Sequence, residues 1–221
     1  MKKVIQLALL LITFVTVAQS NFEGKIVSQQ TMSSDDPQMQ SQLALMGIMS
    51  MTQYVKASNS RTEIKSPMTG DIVSVYASKT DEVLVLMNNP MMGKTYEKSS
   101  KGDLEAKVGD QKIEVNKGTE TKTILGYECK QYFMTMMTNG VKMEMELFVT
   151  DEISMAITAQ NIAYASKIKG MPLLTKGKVN QMGMVLNITN EVTEIVKETV
   201  SDDKFDMTIP EGYKAADAVK Q

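Results

Sequence analysis

The sequence predicts a mainly β domain of the α+β class, built from antiparallel strands with a few short helices. Three observations predict it. Residues 121–149 alternate apolar and polar side chains on both sides of Asn139-Gly140, a dipeptide that suits the positive φ angles of a type I′ hairpin turn. Turn signals recur elsewhere at spacings of roughly 8 to 12 residues, as in antiparallel sheets. Asp36-Pro37 opens a stretch of helical rather than alternating periodicity.

The hairpin supplies its own test of register. With Thr138 opposite Val141, Met136 meets Met143, Met134 meets Met145, and Tyr132 meets Leu147. One face then carries Tyr132, Met134, Met136, Val141, Met143, Met145, Leu147 and Val149. The other carries Gln131, Phe133, Thr135, Lys142, Glu144, Glu146 and Phe148. A slip of one residue would mix the two sets, so turn chemistry and side-chain pattern specify the same pairing.

The remaining elements follow in order. Lys2 and Lys3, an apolar run from Val4 to Val17, and the small residues Ala18 and Ser20 have the pattern of a secretory signal peptide. Residues 1–20 are therefore set aside, leaving a single domain over 21–221. Neither that run nor any later stretch reaches the roughly 20 apolar residues of a membrane span, so no stable transmembrane anchor is expected. Residues 22–29 read as a strand and 28–36 as a polar loop. Asp36 then caps a helix over 37–49, with Pro37 at its first position and Met39, Leu43 and Met46 along its apolar stripe. Segments 52–57, 61–65, 71–77, 82–87 and 91–98 read as strands, with turns at 58–60 and 78–81. The charged stretch 101–111 reads as a loop or weak strand, and 112–116 and 122–125 lead into the hairpin.

Beyond the hairpin, Thr150, Asp151 and Glu152 suit the start of a helix over 152–159. Residues 161–168 fit neither period, and the turn at 170–173 enters another strand. Segments 182–188, with Met182, Met184 and Leu186 on one face, and 191–199 read as two more strands. Residues 204–214 read as a short strand and a Pro-Glu-Gly turn, and 215–221 as a frayed end.

Composition excludes much chemistry. The chain has no His and one Cys, Cys129, which removes the usual general base, the Ser/His and Cys/His nucleophile pairs and the commonest zinc ligand. Cys129 reads as a small hydrophobe in a half-buried strand. Glu144 and Glu146 share a polar strand face with Lys142 and read as solvated surface rather than a catalytic pair. The acidic pairs Asp35-Asp36, Asp151-Glu152 and Asp202-Asp203 lack the spacing and glycine of a calcium loop. Nucleophile-elbow, phosphate-loop and dinucleotide motifs are absent, so no catalytic residue, metal ligand set or cofactor is expected. The formal charge of −2 becomes −4 without Lys2 and Lys3. With no basic cluster, this argues against a nucleic-acid partner.

The chain is methionine-rich, with 20 Met. Three uses fit: a flexible core filler, an adaptable wall for an acyl chain or hydrophobic peptide, or a Cu(I) site in which Met134, Met136, Met143 and Met145 present thioethers from neighbouring strands. The candidate apolar cavity comprises Tyr132, Met134, Met136, Met143, Met145 and Leu147 of the hairpin, with Met46 of the helix.

Three segments carry a resemblance: ThrLysThrIleLeuGlyTyrGluCysLys at 121–130, GlyMetProLeu at 170–173, and PheAspMetThrIleProGluGlyTyrLys at 205–214. Together they resemble a family of secreted bacterial proteins of unknown function whose fold is similar to that of the LolA/LolB/LppX-type lipoprotein carriers. The resemblance implies a curved antiparallel half-barrel with short helices over its open, apolar concave side. It implies no functional residue, and the absence of Trp and surplus of Met depart from the carriers. The function expected is a non-enzymatic exported binding or carrier protein for a hydrophobic ligand, with a lipid or lipidated protein as partner, in the periplasm or outside the cell. The alternatives are a structural or protein-interaction envelope module with a filled core, and Met-based Cu(I) binding. The sequence sets no oligomeric state.

Overall fold

Alternating side chains draw most of the chain into one sheet. The computed structural model describes residues 22–66, 70–108, 112–138, 140–159, 161–181 and 184–216. The expected signal peptide, Asn139 of the hairpin turn and Met182 lie outside the described residues. Strands β1 (Gly24–Ser34), β2 (Met49–Lys56), β3 (Asn59–Ser66), β4 (Gly70–Ala77), β5 (Glu82–Asn89) and β6 (Gly93–Ser100) form one meander. Strands β7 (Ile113–Ile124), β8 (Tyr127–Thr138), β9 (Val141–Thr150), β10 (Met171–Gln181) and β11 (Met184–Lys197) form a second. Antiparallel pairing of β1 with β11 joins them. The two-residue β12 (Lys214–Ala215) adds to β6 in parallel, completing a 12-stranded sheet. Strand accounts for 60% of the structure, and the sheet is open and curved rather than closed into a barrel.

Chain connectivity explains the curvature. Strands β6 and β7 are consecutive in sequence yet ten positions apart in the sheet. At about 4.8 Å per strand, a flat sheet would separate them by about 48 Å. The link between them is helix α2 (Lys101–Val108) and the short run to Ile113. Eight helical residues rise about 12 Å, and five extended peptide steps add at most about 18 Å. A link of that reach forces the two sides of the sheet to bend towards each other.

The hairpin pairs as the sequence predicts, with Thr138 opposite Val141, Met136 opposite Met143, Met134 opposite Met145 and Tyr132 opposite Leu147. Its first arm is shorter than predicted. A turn at Leu125-Gly126, with Leu125 at φ 51°, separates residues 121–124, which finish β7. The predicted segments 112–116 and 122–125 are both parts of β7, whose register shifts between Lys117 and Thr121. Residues 184–188 and 191–197 of the next two predicted strands likewise belong to one strand, β11, which takes a bulge opposite Val27 and Ser28. The polar residues 28–34 are strand rather than loop, because β11 pairs with them as far as Ser34.

Helix α1 (Pro37–Met46) begins as predicted, with the Asp36 carboxylate accepting from the Met39 N–H at 2.7 Å. It stops three residues early at Gly47, where φ reaches 67°. Residues 101–108 form α2 rather than a loop or strand. The Ser100 hydroxyl accepts from the Asp103 N–H at 3.0 Å, while the Asp103 carboxylate accepts from the Ser100 N–H at 3.1 Å. This reciprocal cap starts the helix.

The helix expected over 152–159 does not form. The Thr150 hydroxyl accepts from the Glu152 N–H at 3.3 Å in a local turn, and only isolated helical turns follow, such as Ala165 N–H to the Asn161 carbonyl. Near the C-terminus the expected strand is replaced by a 3₁₀ turn at Asp202–Phe205 and unpaired extended chain. The turn at Pro210 then leads into β12. Among the described residues no helix is long and apolar enough to cross a membrane.

Candidate functional site

Strands β9 and β10 are neighbours in the sheet, and antiparallel neighbours need a loop of only about 2–5 residues. Here twenty residues separate Thr150 from Met171. The surplus chain is packed down rather than left in solvent: Ile153, Thr158, Ile162 and Ile168 are buried. Three bonds from Asn161 hold its shape. The Asn161 side chain accepts from the Thr158 N–H at 2.9 Å and donates to the Ala156 carbonyl at 2.9 Å, and the Asn161 N–H donates to the Thr158 hydroxyl at 3.2 Å. The Ser60 hydroxyl of β3 donates to the Ile157 carbonyl, tying the segment across the sheet.

Between this roof and the sheet lies a cavity of about 300 Å³. Its roof is Met155, Ala156, Thr158, Asn161 and Tyr164, and its floor is drawn from β1, β2, β3, β9, β10 and β11. Five methionines line it: Met51, Met143, Met145, Met155 and Met171. Burial raises the pKa of the Tyr164 phenol, which stays neutral at ordinary pH. Gly177 of β10 makes part of the depth. A Cβ built there would sit 3.5 Å from the Met145 Cγ and 3.9 Å from the Ile188 Cβ.

The residues predicted from the hairpin divide. Met143 and Met145 line the cavity. Met134 and Leu147, each 1% exposed, lie in a packed cluster beside it with Val149 and Ile168, and Tyr132 packs against that cluster. Met145, Met155 and Tyr164 belong to both cluster and cavity wall. Met136 is half-buried opposite Met143 and Ile113. Met46 is half-buried on α1 and does not line the cavity. Sequence reasoning missed the floor from β1 to β3 and from β11, notably Ile26, Gln30, Gln53, Thr62 and Asn190. Alternation was the signal available for Gln53 and Thr62. For Gln30 there was none, because its polar neighbours read as loop.

Cys129 is fully buried in a second cluster with Phe22, Ile26, Phe148 and Leu173, and burial pushes its thiol pKa up. Among the described residues no group of three or more His, Cys, Asp or Glu side chains is placed to hold a metal ion.

No family model matches the chain, and no curated protein matches it. Solved structures do. A structure of PNGF-II is similar with a TM-score of 0.47 and 15% identity, over 90% of this chain and 32% of that one. This chain thus spans about a third of that protein's length. The lipoprotein LppX of Mycobacterium tuberculosis is similar with a TM-score of 0.35 and 6% identity, over 81% of this chain and 89% of that one. At identities of 15% and 6% and TM-scores under 0.5, the chemistry of the site is read from its own residues.

Proposed function

We propose that the protein is a non-enzymatic carrier, exported through a signal peptide over residues 1–20, that holds a lipid or acyl chain in the cell envelope. The observation that carries this reading is the roofed cavity of about 300 Å³, walled by methionine and isoleucine. Its volume is at the lower end of the ~300–1,000 Å³ of small-molecule sites. Unbranched, polarisable Met side chains repack around flexible chains of varied shape. Unfilled volume of this size favours a carrier over an interaction module with a filled core.

Native mass spectrometry of protein purified gently from its own envelope tests the reading. A co-purifying lipid or acyl species is expected, and it should be depleted in Gly177→Leu, whose side chain would occupy the cavity. A clean apo mass, with no binding of an environment-sensitive fluorescent acyl probe, would overturn the proposal.

A Cu(I) site is the second reading, favoured by the five thioethers that share the cavity. Met143→Leu separates the two. It preserves shape and apolarity, so a carrier keeps its affinity, whereas a thioether site loses Cu(I) affinity. Met143→Asp should abolish acyl binding.

A further inference from the structure

The roofed cavity is mixed in polarity but carries no charge. No Asp, Glu, Lys or Arg is among the described residues that line it, although charged residues make up 23% of the chain. Its polar groups are hydroxyls and amides, and the strand register sets them in a track. Thr62 of β3 stands opposite Gln53 of β2, and Gln53 stands opposite Ile26 of β1. Four residues along β1 from Ile26, Gln30 stands opposite Asn190 of β11, which stands opposite Thr175 of β10. The track runs diagonally across the floor between apolar patches formed by Met51 with Ile64 and by Met145 with Ile188.

Thr62 is the anomaly in this track. The residue is 2% exposed, and its hydroxyl oxygen is buried with no hydrogen-bond partner. Folded proteins rarely leave a buried hydroxyl unpaired, because it has given up water and gained nothing. A step of about 120° about χ1 carries a threonine hydroxyl to a neighbouring staggered position. Thr62 lines the cavity opposite Gln53, so another rotamer would offer this oxygen to an occupant beside the Gln53 amide.

We propose that the occupant is an uncharged single-chain amphiphile, an acyl chain ending in an ester, amide or hydroxyl, and that Gln53 and Thr62 hydrogen-bond its polar group. The inference rests on the carrier reading above and narrows its ligand class. A carboxylate or phosphate drawn into this site would be desolvated without a counter-charge, which is strongly unfavourable. A bare hydrocarbon would leave the amides and hydroxyls of the floor unsatisfied. An ester or amide pairs with them while its chain lies along the methionines.

The test presents one fluorescent acyl chain as its glycerol ester, its primary amide and its free carboxylate, near neutral pH, to the parent protein, Gln53→Leu, Thr62→Val and Gly177→Leu. The ester and amide are expected to bind the parent at least about tenfold more tightly than the carboxylate. Gln53→Leu and Thr62→Val should each erase most of that preference. Thr62→Val should also raise the melting temperature of the ligand-free protein, since it removes an unpaired buried hydroxyl. That opposite movement of stability and affinity is one a purely structural residue would not show. Equal or tighter binding of the carboxylate, or an unchanged preference in both variants, overturns the ligand assignment while leaving the carrier reading in place. Failure of all three probes to bind the parent, with Gly177→Leu indistinguishable from it, overturns both.

Discussion

Cys129 illustrates how far a single residue could be read. Its place in an alternating strand predicted a half-buried small hydrophobe, and the structure buries it fully beside Phe148 and Leu173. Its Sγ donates weakly to the Tyr127 carbonyl at 3.6 Å, and burial holds the thiol in its protonated, unreactive form. The expected outcome is no alkylation by iodoacetamide in the native protein and rapid alkylation in denaturant; fast native labelling would contradict this packing. Phe148 was harder to read, because alternation assigned it to the polar face. It is buried there because the Lys122 ammonium lies 4.0 Å from its ring centroid and Cys129 packs against it. Tyr76 offers a titration. Burial first, then its 2.8 Å hydrogen bond to Asp81, pushes the phenol from 10.0 up to about 12. The folded value lies above the unfolded one, so this stabilisation is complete below pH 10 and is lost as pH rises from 10 to 12. Tyr76→Phe should flatten that alkaline limb in a series of denaturant melts. It should also cost about 1–2 kcal/mol at neutral pH through the lost bond to a carboxylate.

Elements were legible where local chemistry and side-chain period agreed. The β8–β9 hairpin has both a turn dipeptide and strict alternation, and its register followed from them. Helix α2 was misread although its cap is written in the sequence: Ser100 and Asp103 stand three residues apart, and the Gly and Lys residues between and around them obscured the signal. Those hydrogen bonds hold the Asp103 carboxyl below its usual range. The stabilisation is therefore present above the unfolded carboxylate value and is lost as pH falls through the lower folded value. Ser100→Ala is expected to speed hydrogen exchange of the first amides of α2 and to remove that acid dependence locally. The roof over 152–168 could not be read because it has no period. Its side chains turn inward irregularly, and its shape depends on Asn161 and on distant Ser60. At its exit, Gly170 takes φ 108° and lies so close to β9 that a Cβ would meet the Thr150 carbonyl oxygen at 2.2 Å. Gly170→Ala should cost about 1–3 kcal/mol in equilibrium unfolding, with the roof losing exchange protection first.

At the scale of the molecule, the strands could be found from sequence but their order could not, because antiparallel neighbours in a meander and the β1–β11 seam satisfy the same local patterns. The cavity depends on that order, since its floor joins strands from both meanders and its roof crosses between them. An open sheet also leaves edges, whose unpaired backbone groups invite pairing with another chain. The edge beyond β6 is occupied by β12. At the other end β7 is paired only with β8 among the described strands. Its protection lies in its side chains: Lys117 and Glu120 are exposed, and the register shift between Lys117 and Thr121 distorts the ladder. Charge and irregularity of this kind block edge-to-edge pairing. Replacing both, as Lys117→Val with Glu120→Val, leaves the buried core untouched and gives the edge an apolar, β-branched surface. Sedimentation velocity across a concentration series should then show association that the parent lacks at the same concentrations. An unchanged sedimentation profile would mean that the register shift alone closes the edge.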